Sequence, residues 1–200
     1  MQEWKLIDKE RLVVFTDALM AIIMTILVLD LKVQVTERAT EADLLQQLKM
    51  QLPHFFGFIL SFAVITIIWF SHHDLTRLVI KPTRFFAGLN FLFVGSVSLL
   101  PFSTAFAAEN PDSSVAVATL AGSMFFMNIF LSFLFFYSMK KGLINMQGGM
   151  TRHSRIKQIM GISGGFIFLG AVGVAFLSPF VSLLMMSSVP IMHVIPIVNE

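Results

Sequence analysis

The chain has 200 residues, of which 56% are hydrophobic and only 13% charged, too little surface charge for a water-soluble globule of this size. Its isoelectric point near 9.1 comes with a net charge of only +2, and the basic residues are sorted by loop instead of gathered on one face, which argues against a nucleic-acid partner. With no cysteine, the chain cannot build a disulfide framework, a thiolate nucleophile or a cysteine-ligated zinc site.

A helix needs roughly 20 apolar residues to cross the hydrocarbon layer. Six stretches approach that length and predict an all-α integral membrane protein, with one six-helix domain over 1–200. The first, 12–31, outruns a signal-peptide core and lacks an A-x-A-like cleavage site, so it is expected to remain as a span. The segment 41–51 then repeats leucine at helical spacing and either lies along the outer interface or extends the second span, 52–71, into water. The third span, 85–107, carries Pro101, which should kink the helix or end it early. The fourth is 115–139. In the fifth, 156–177, Gly161 and Gly165 are four apart with Gly164, Gly170 and Gly173 nearby, a pattern that permits close helix contact. The sixth, 180–198, carries Pro190 and Pro196, with the same expectation as Pro101.

Orientation follows from the lysines and arginines, because cytoplasmic loops carry the excess. Lys5, Lys9 and Arg11 precede span one; Arg77, Lys81 and Arg84 separate spans two and three; Lys140, Lys141, Arg152, Arg155 and Lys157 separate four and five. Only Lys32, Arg38 and Lys49 fall on the other side, together with Glu37, Glu41, Asp43, Glu109 and Asp112. Both termini are therefore expected in the cytoplasm, in a multi-pass protein of the cell membrane.

A polar group at the centre of a span costs roughly 2.5 to 3.5 kcal/mol on insertion scales, so each one asks for a partner or a water-lined position. These groups are Thr16, Asp17, Thr25 and Asp30 in span one, Trp69, His72 and His73 at the end of span two, Asn90, Asn128 and His193. Depth places Arg11, Thr16, Asp17, Trp69, His72 and Asn90 in one layer near the cytoplasmic third of the membrane. A mutual hydrogen-bonding network is the simplest way to satisfy them. Such a network either pins the helices together or, with Asp17 and His72, carries protons or an ion. The latter version would make the chain a proton-coupled secondary transporter, but span one contains neither the Gly nor the Pro of a broken transporter helix. His72, His73 and Asp74 are adjacent, and a helix turns neighbours about 100° apart, which argues against a metal site. Asn128 and His193 read as local packing features.

The same angular spacing puts Phe15, Ala18, Ile22, Thr25, Ile26 and Leu29 on one side of span one, while Thr16 and Asp17 point away from it. That apolar face is free to meet lipid, another helix or its own symmetry mates around an axis.

The stretch RLVVFTDALMAIIMTILVLDL, with Arg11, Phe15, Thr16 and Asp17, resembles the R-x-x-x-F-S-D signature that opens the first helix of the potassium channel family of transmembrane protein 175. Trp69-Phe70-Ser71-His72-His73, then Leu89-Asn90-Phe91 and Leu100-Pro101-Phe102-Ser103-Thr104, are similar to that family's pattern in the same order. Thr16 stands where Ser is usual and keeps the hydroxyl. Spans four to six match chiefly by number and hydrophobicity. The resemblance implies a single-repeat, bacterial-type member that assembles as a homotetramer in the lipid bilayer. It also implies a central pore lined by span one and constricted at Ile22, with Thr25, Ile26 and Leu29 continuing the lining outward. Arg11, Thr16, Asp17, Trp69, His72 and Asn90 would form the structural network. The expected function is a potassium channel, modestly selective over sodium, and not an enzyme. It needs no cofactor or protein-bound metal, potassium being the permeating ion near Ile22 and Thr25. The TVGYG loop of the familiar potassium channels is absent from the sequence. Selectivity would arise instead at an apolar Ile22 ring, where potassium surrenders its hydration more readily than sodium.

Overall fold

The computed structural model describes residues 8–32, 40–144 and 152–197. Lys5, Glu37 and Arg38, and the side chains of Arg152, Arg155, Lys157 and Pro196, lie outside what is described. The elements, in order, are α1 (Lys9–Leu27) with a 3-10 turn (Val28–Asp30), α2 (Glu41–Met50), α3 (Leu52–Leu78), α4 (Arg84–Ser98), α5 (Leu100–Glu109), α6 (Ser114–Lys140), α7 (Arg152–Ala175) and α8 (Pro179–Ile197). Among the described residues there is no strand, and the one pairing of extended backbone is an isolated bridge between Val79 and Ile144.

Among the described residues, four segments are long and apolar enough to cross a membrane: Lys9–Asp30, Leu52–Leu78, Arg84–Glu109 and Ser114–Lys140. The last two helices contribute shorter apolar stretches, Gly161–Ala175 and Pro179–His193. The Arg84–Glu109 segment is divided where the sequence places Pro101. Leu99 closes α4, and Pro101 occupies the first turn of α5, where its missing amide hydrogen costs least. Pro190 behaves differently, since α8 runs on past it to Ile197. A proline inside an apolar helix is tolerated where the freed carbonyl is satisfied by neighbours or local adjustment.

α6 is the central post, packing against α4, α5, α7 and α8, while α1 packs against α3, α4 and α5. Between them lie the fully buried Phe86, Phe93, Met20, Ile65, Leu100, Leu120 and Met124. Leucine and phenylalanine side chains in every helix also stand exposed, among them Phe91, Leu92, Phe102, Phe126, Phe166 and Leu184. Apolar surface on that scale is a liability in water and ordinary against lipid tails.

The glycines of α7 serve a specific contact. Asn128 of α6 donates through Nδ2 to the Gly161 carbonyl at 3.1 Å, and a Cβ at Gly165 would sit 2.7 Å from Asn128 Oδ1. The side chain on α6 is thus seated on a glycine surface of α7, which explains the Asn in the fourth span and the glycines at 164 and 165 in the fifth.

α2 is a separate helix, divided from α3 at Gln51. It buries none of its residues, and its start is fixed by a capping box. Thr40 Oγ1 accepts from the Asp43 amide at 3.3 Å, while Asp43 Oδ2 accepts from the Thr40 amide at 2.9 Å and from its hydroxyl at 2.7 Å. These bonds, the hydroxyl's first and the amide's second, hold the Asp43 carboxyl below its ordinary 3.8. A depressed carboxyl stabilises the helix above its unfolded pKa and loses that contribution as pH falls through the folded value. The protection of first-turn amides in α2, measured against the intrinsic exchange rate at each pH, is expected to fall under acid in the parent chain and to be low already at neutral pH in Thr40→Ala.

Gly165→Ala is expected to lower stability by about 1–3 kcal/mol, because the Asn128 it would strike is held by its own hydrogen bond. Gly173→Ala, with nothing within 4 Å of the added carbon, is expected to stay within about 0.5 kcal/mol of the parent. Unfolding of both variants in detergent checks the pair.

Candidate functional site

α1 begins at Asp8, whose carboxylate accepts from the Glu10 and Arg11 amides at 3.0 and 3.4 Å, satisfying orphan donors of the first turn. Its buried residues are Leu12, Thr16, Met20, Ile23 and Leu27, spaced by three and four as one helical face requires. The polar groups of this helix are tied to its neighbours at both ends.

Toward the N-terminal end, Thr16 donates to the Leu12 carbonyl at 3.0 Å and accepts from Asn90 Nδ2 at 2.7 Å. The other side of the Asn90 amide, Oδ1, accepts from His72 Nε2 at 2.8 Å. Asn90 can play both parts only because its two amide ends differ, one donating and one accepting. Thr16, Asn90 and His72 are all buried, and the His72 ring is stacked on Phe93 with centroids 5.1 Å apart. With Nε2 committed as donor, His72 Nδ1 is left as an acceptor with no partner among the described residues. His72 borders a small cavity lined also by Lys9, Leu12, Thr76, Phe86 and Asn90.

Asp17 belongs to a second, separate bond. It accepts from the Trp69 indole at 2.9 Å, and Trp69 is stacked on His73 at 5.5 Å. Thr16 and Asp17 are successive residues on a helix, so they face about 100° apart and engage α4 and α3 respectively. The six residues expected in one network therefore divide. Thr16, His72 and Asn90 form a chain, Asp17 and Trp69 form a pair, and Arg11 stands apart, exposed at the start of α1.

At the far end the helix tightens into the 3-10 turn, and Asp30 meets His54 Nδ1 at 2.7 Å. His54 was not among the residues singled out from the sequence. The signal was available: Asp30 needs a partner at the outer end of span one, and His54 begins span two at the same depth. Ser61 was not singled out either; it shares a buried bond of 2.7 Å between α3 and α5 with Thr104, which the sequence marks only as part of the Leu100–Thr104 motif. Asn128 is seated on α7 as described, and His193 Nδ1 lies 2.9 Å from the Val189 carbonyl of its own helix.

The opposite face of α1 has no such ties. Phe15, Ala18, Ile22, Thr25, Ile26 and Leu29 are all exposed in the chain, Ile22 by 51% and Leu29 by 64%. Phe15 alone makes a ring contact there, edge-on to Phe91 of α4 at 5.5 Å. Thr25 donates its hydroxyl hydrogen to the Ile22 carbonyl at 2.7 Å, which leaves its oxygen lone pairs as acceptors. α1 is thus a strut pinned on one side, presenting an apolar stripe with a single hydroxyl on the other.

Residues 11–101 match the family described as endosomal/lysosomal potassium channel TMEM175. A protein of Chamaesiphon minutus named as a potassium channel is 34% identical over 115 residues, covering 56% of this chain and 57% of that one. The human endosomal/lysosomal proton channel TMEM175 is 33% identical over 135 residues, 62% of this chain and 27% of its own length. The chain thus spans little more than half of the first relative and about a quarter of the second in these matches. Its fold is similar to the crystal structure of a lysosomal potassium-selective channel TMEM175 homolog from Chamaesiphon minutus. There the TM-score is 0.77 at 25% identity, covering 94% of this chain and 97% of that one.

Asn90→Leu strips both Thr16 and His72 of a buried partner and is expected to cost about 1–3 kcal/mol for each group left unsatisfied. Adding Thr16→Val to Asn90→Leu should then cost less than the sum of the two single changes, because the orphaned hydroxyl is removed. A double-mutant cycle by unfolding in detergent tests this; strict additivity would mean that the bond contributes nothing.

Proposed function

Because the chain belongs to the transmembrane protein 175 family, we propose that it is a potassium channel of the cell membrane whose pore is the exposed face of α1, repeated around an axis by identical copies. One observation carries the reading: α1 places its polar partners and its buried residues on one side and leaves Ile22, Thr25, Ile26 and Leu29 uncovered on the other. A single chain supplies one such stripe, so a pore needs several copies, and family resemblance favours a homotetramer. In this reading six helices span the bilayer, α7 and α8 supplying the fifth and sixth crossings, with both termini in the cytoplasm.

The mechanism follows from the chemistry of the stripe. Four Ile22 side chains would form a ring with no oxygen to replace a cation's hydration shell. A cation passing it sheds water, and potassium, more weakly hydrated than sodium, sheds it at lower cost. Such a ring also gates by dewetting. The Thr25 lone pairs, one turn outward, would partly re-coordinate the ion, and Ile26 and Leu29 would continue the wall. Asp30, held by His54, would draw cations to the outer mouth. The polar chain Thr16–Asn90–His72 and the pair Asp17–Trp69 keep α1 in place, while Arg11 lies at its cytoplasmic end. No cofactor enters this scheme. The rival reading, a proton-coupled transporter using Asp17 and His72, is less well supported, since each is bonded to a different partner instead of sharing an open site.

Potassium and sodium flux into liposomes holding the purified protein is expected to favour potassium, and Ile22→Asn should bring the flux ratio toward one. No flux from either protein, with folding and oligomerisation intact, would sink the channel reading.

A further inference from the structure

The end of α3 and the end of α6 are joined through their backbones. Val79 and Ile144 form an antiparallel bridge, and the Ile80 amide donates to the Leu143 carbonyl at 2.8 Å. Lys81 follows Ile80 directly and Lys141 precedes Leu143 by two residues, so the joined segments bring these lysines to the same end of the bundle. One turn back on α6, the Tyr137 hydroxyl is bonded to Thr83 Oγ1 at 2.9 Å, and its ring lies 4.8 Å from that of Phe85. These contacts hold two connections together that the sequence separates by more than fifty residues.

The stretches 75–85 and 137–144 carry Arg77, Lys81, Arg84, Lys140 and Lys141 and no Asp or Glu. Arg84 already has a partner within the chain. Lys81, Lys140 and Lys141 are exposed and form no ion pair among the described residues. Like charges fixed near one another raise a positive potential that an anion relieves. The apolar side chains around them say which anion. Ile80 and Phe85 are 55% and 61% exposed, and Leu78 and Met139 are also uncovered. Together with Tyr137 they form the rim expected at the boundary between headgroups and acyl chains. A soluble phosphate would engage the lysines and leave that rim bare.

We propose that this patch binds the headgroup of an anionic phospholipid of the cytoplasmic leaflet. The lipid phosphate lies between Lys81 and the Lys140–Lys141 pair, and an acyl chain runs along Leu78, Ile80 and Phe85. Such a lipid would bridge the α3–α4 and α6–α7 connections and reinforce the backbone bridge between them. The proposal rests on the membrane orientation argued above and not on conduction.

Thermal unfolding of the full purified chain in detergent, titrated with phosphatidylglycerol, with phosphatidylcholine of the same acyl chains, or with inorganic phosphate, tests it. Phosphatidylglycerol should stabilise at the lowest concentration. Lys81→Gln/Lys140→Gln/Lys141→Gln should raise its half-effective concentration at least about tenfold, and Lys141→Gln alone about fivefold. Lys32→Gln/Lys49→Gln, an off-patch charge change, should leave it unmoved. Equal response to the two lipids, an unchanged response in the patch variants, or equal stabilisation by inorganic phosphate would each overturn the proposal. Orientation is read separately by labelling Asn110→Cys in a chain that has no native cysteine. Labelling from outside the cell supports the cytoplasmic leaflet, and labelling from inside overturns that assignment, whatever the lipid preference.

Discussion

The structure depends on a rule of the bilayer: a polar group in the hydrocarbon layer must find its partner within the protein, because no water is there to supply one. In α1 this rule sorts the side chains of one helix. Thr16 reaches Asn90, Asp17 reaches Trp69 and Asp30 reaches His54, all on elements that flank one side of the helix. The stretch between them holds only apolar residues on the buried side, Met20, Ile23 and Leu27. The consequence is a helix fixed near both ends, whose remaining face is left to whatever surrounds the chain.

The rest of the bundle applies the rule with less consequence for the site. Asn128 rests on the glycine surface of α7, and Ser182 of α8 donates to the Ala171 carbonyl at 2.8 Å. Ser61 and Thr104 satisfy each other where α3 and α5 approach closely enough that a Cβ at Gly57 would come within 3.1 Å of Thr104 Cγ2. In each case a small residue lets backbones approach and a short polar side chain closes the gap. These contacts pack the bundle behind α1 closely, as the proposed pore would require if its width is to discriminate between ions whose hydration differs by little.

In the proposed pore, an apolar stripe as the ion's path would differ from a filter of backbone carbonyls in the kind of work it does. A carbonyl filter offers replacement ligands, whereas a ring of isoleucine offers none and acts through the cost of removing water. Selectivity of that kind is modest by nature, since it rests on a difference between two hydration energies with no compensating coordination. A single hydroxyl per chain at Thr25, already donating to its own backbone, is the most that this face adds.

The sequence by itself determined the solvent. Run lengths, the absence of cysteine and the sorting of lysine and arginine depend on composition along the chain, and partition between water and lipid acts on each stretch in turn. It also determined that Thr16, Asp17, Trp69, His72 and Asn90 lie at one depth, because rise per residue fixes depth in a helix. Which of them bond was decided only by the tertiary structure. Adjacent residues on a helix face different neighbours, so Thr16 and Asp17 could not serve one network, and the partner of each was set by the rotation and packing of α3 and α4. The pairing of Asp30 with His54, the seat of Asn128 on Gly161 and Gly165, and the bridge of Val79 with Ile144 belong to the same class. Each joins residues far apart in sequence, and hydrophobic periodicity carries no information about which face of one helix meets which face of another.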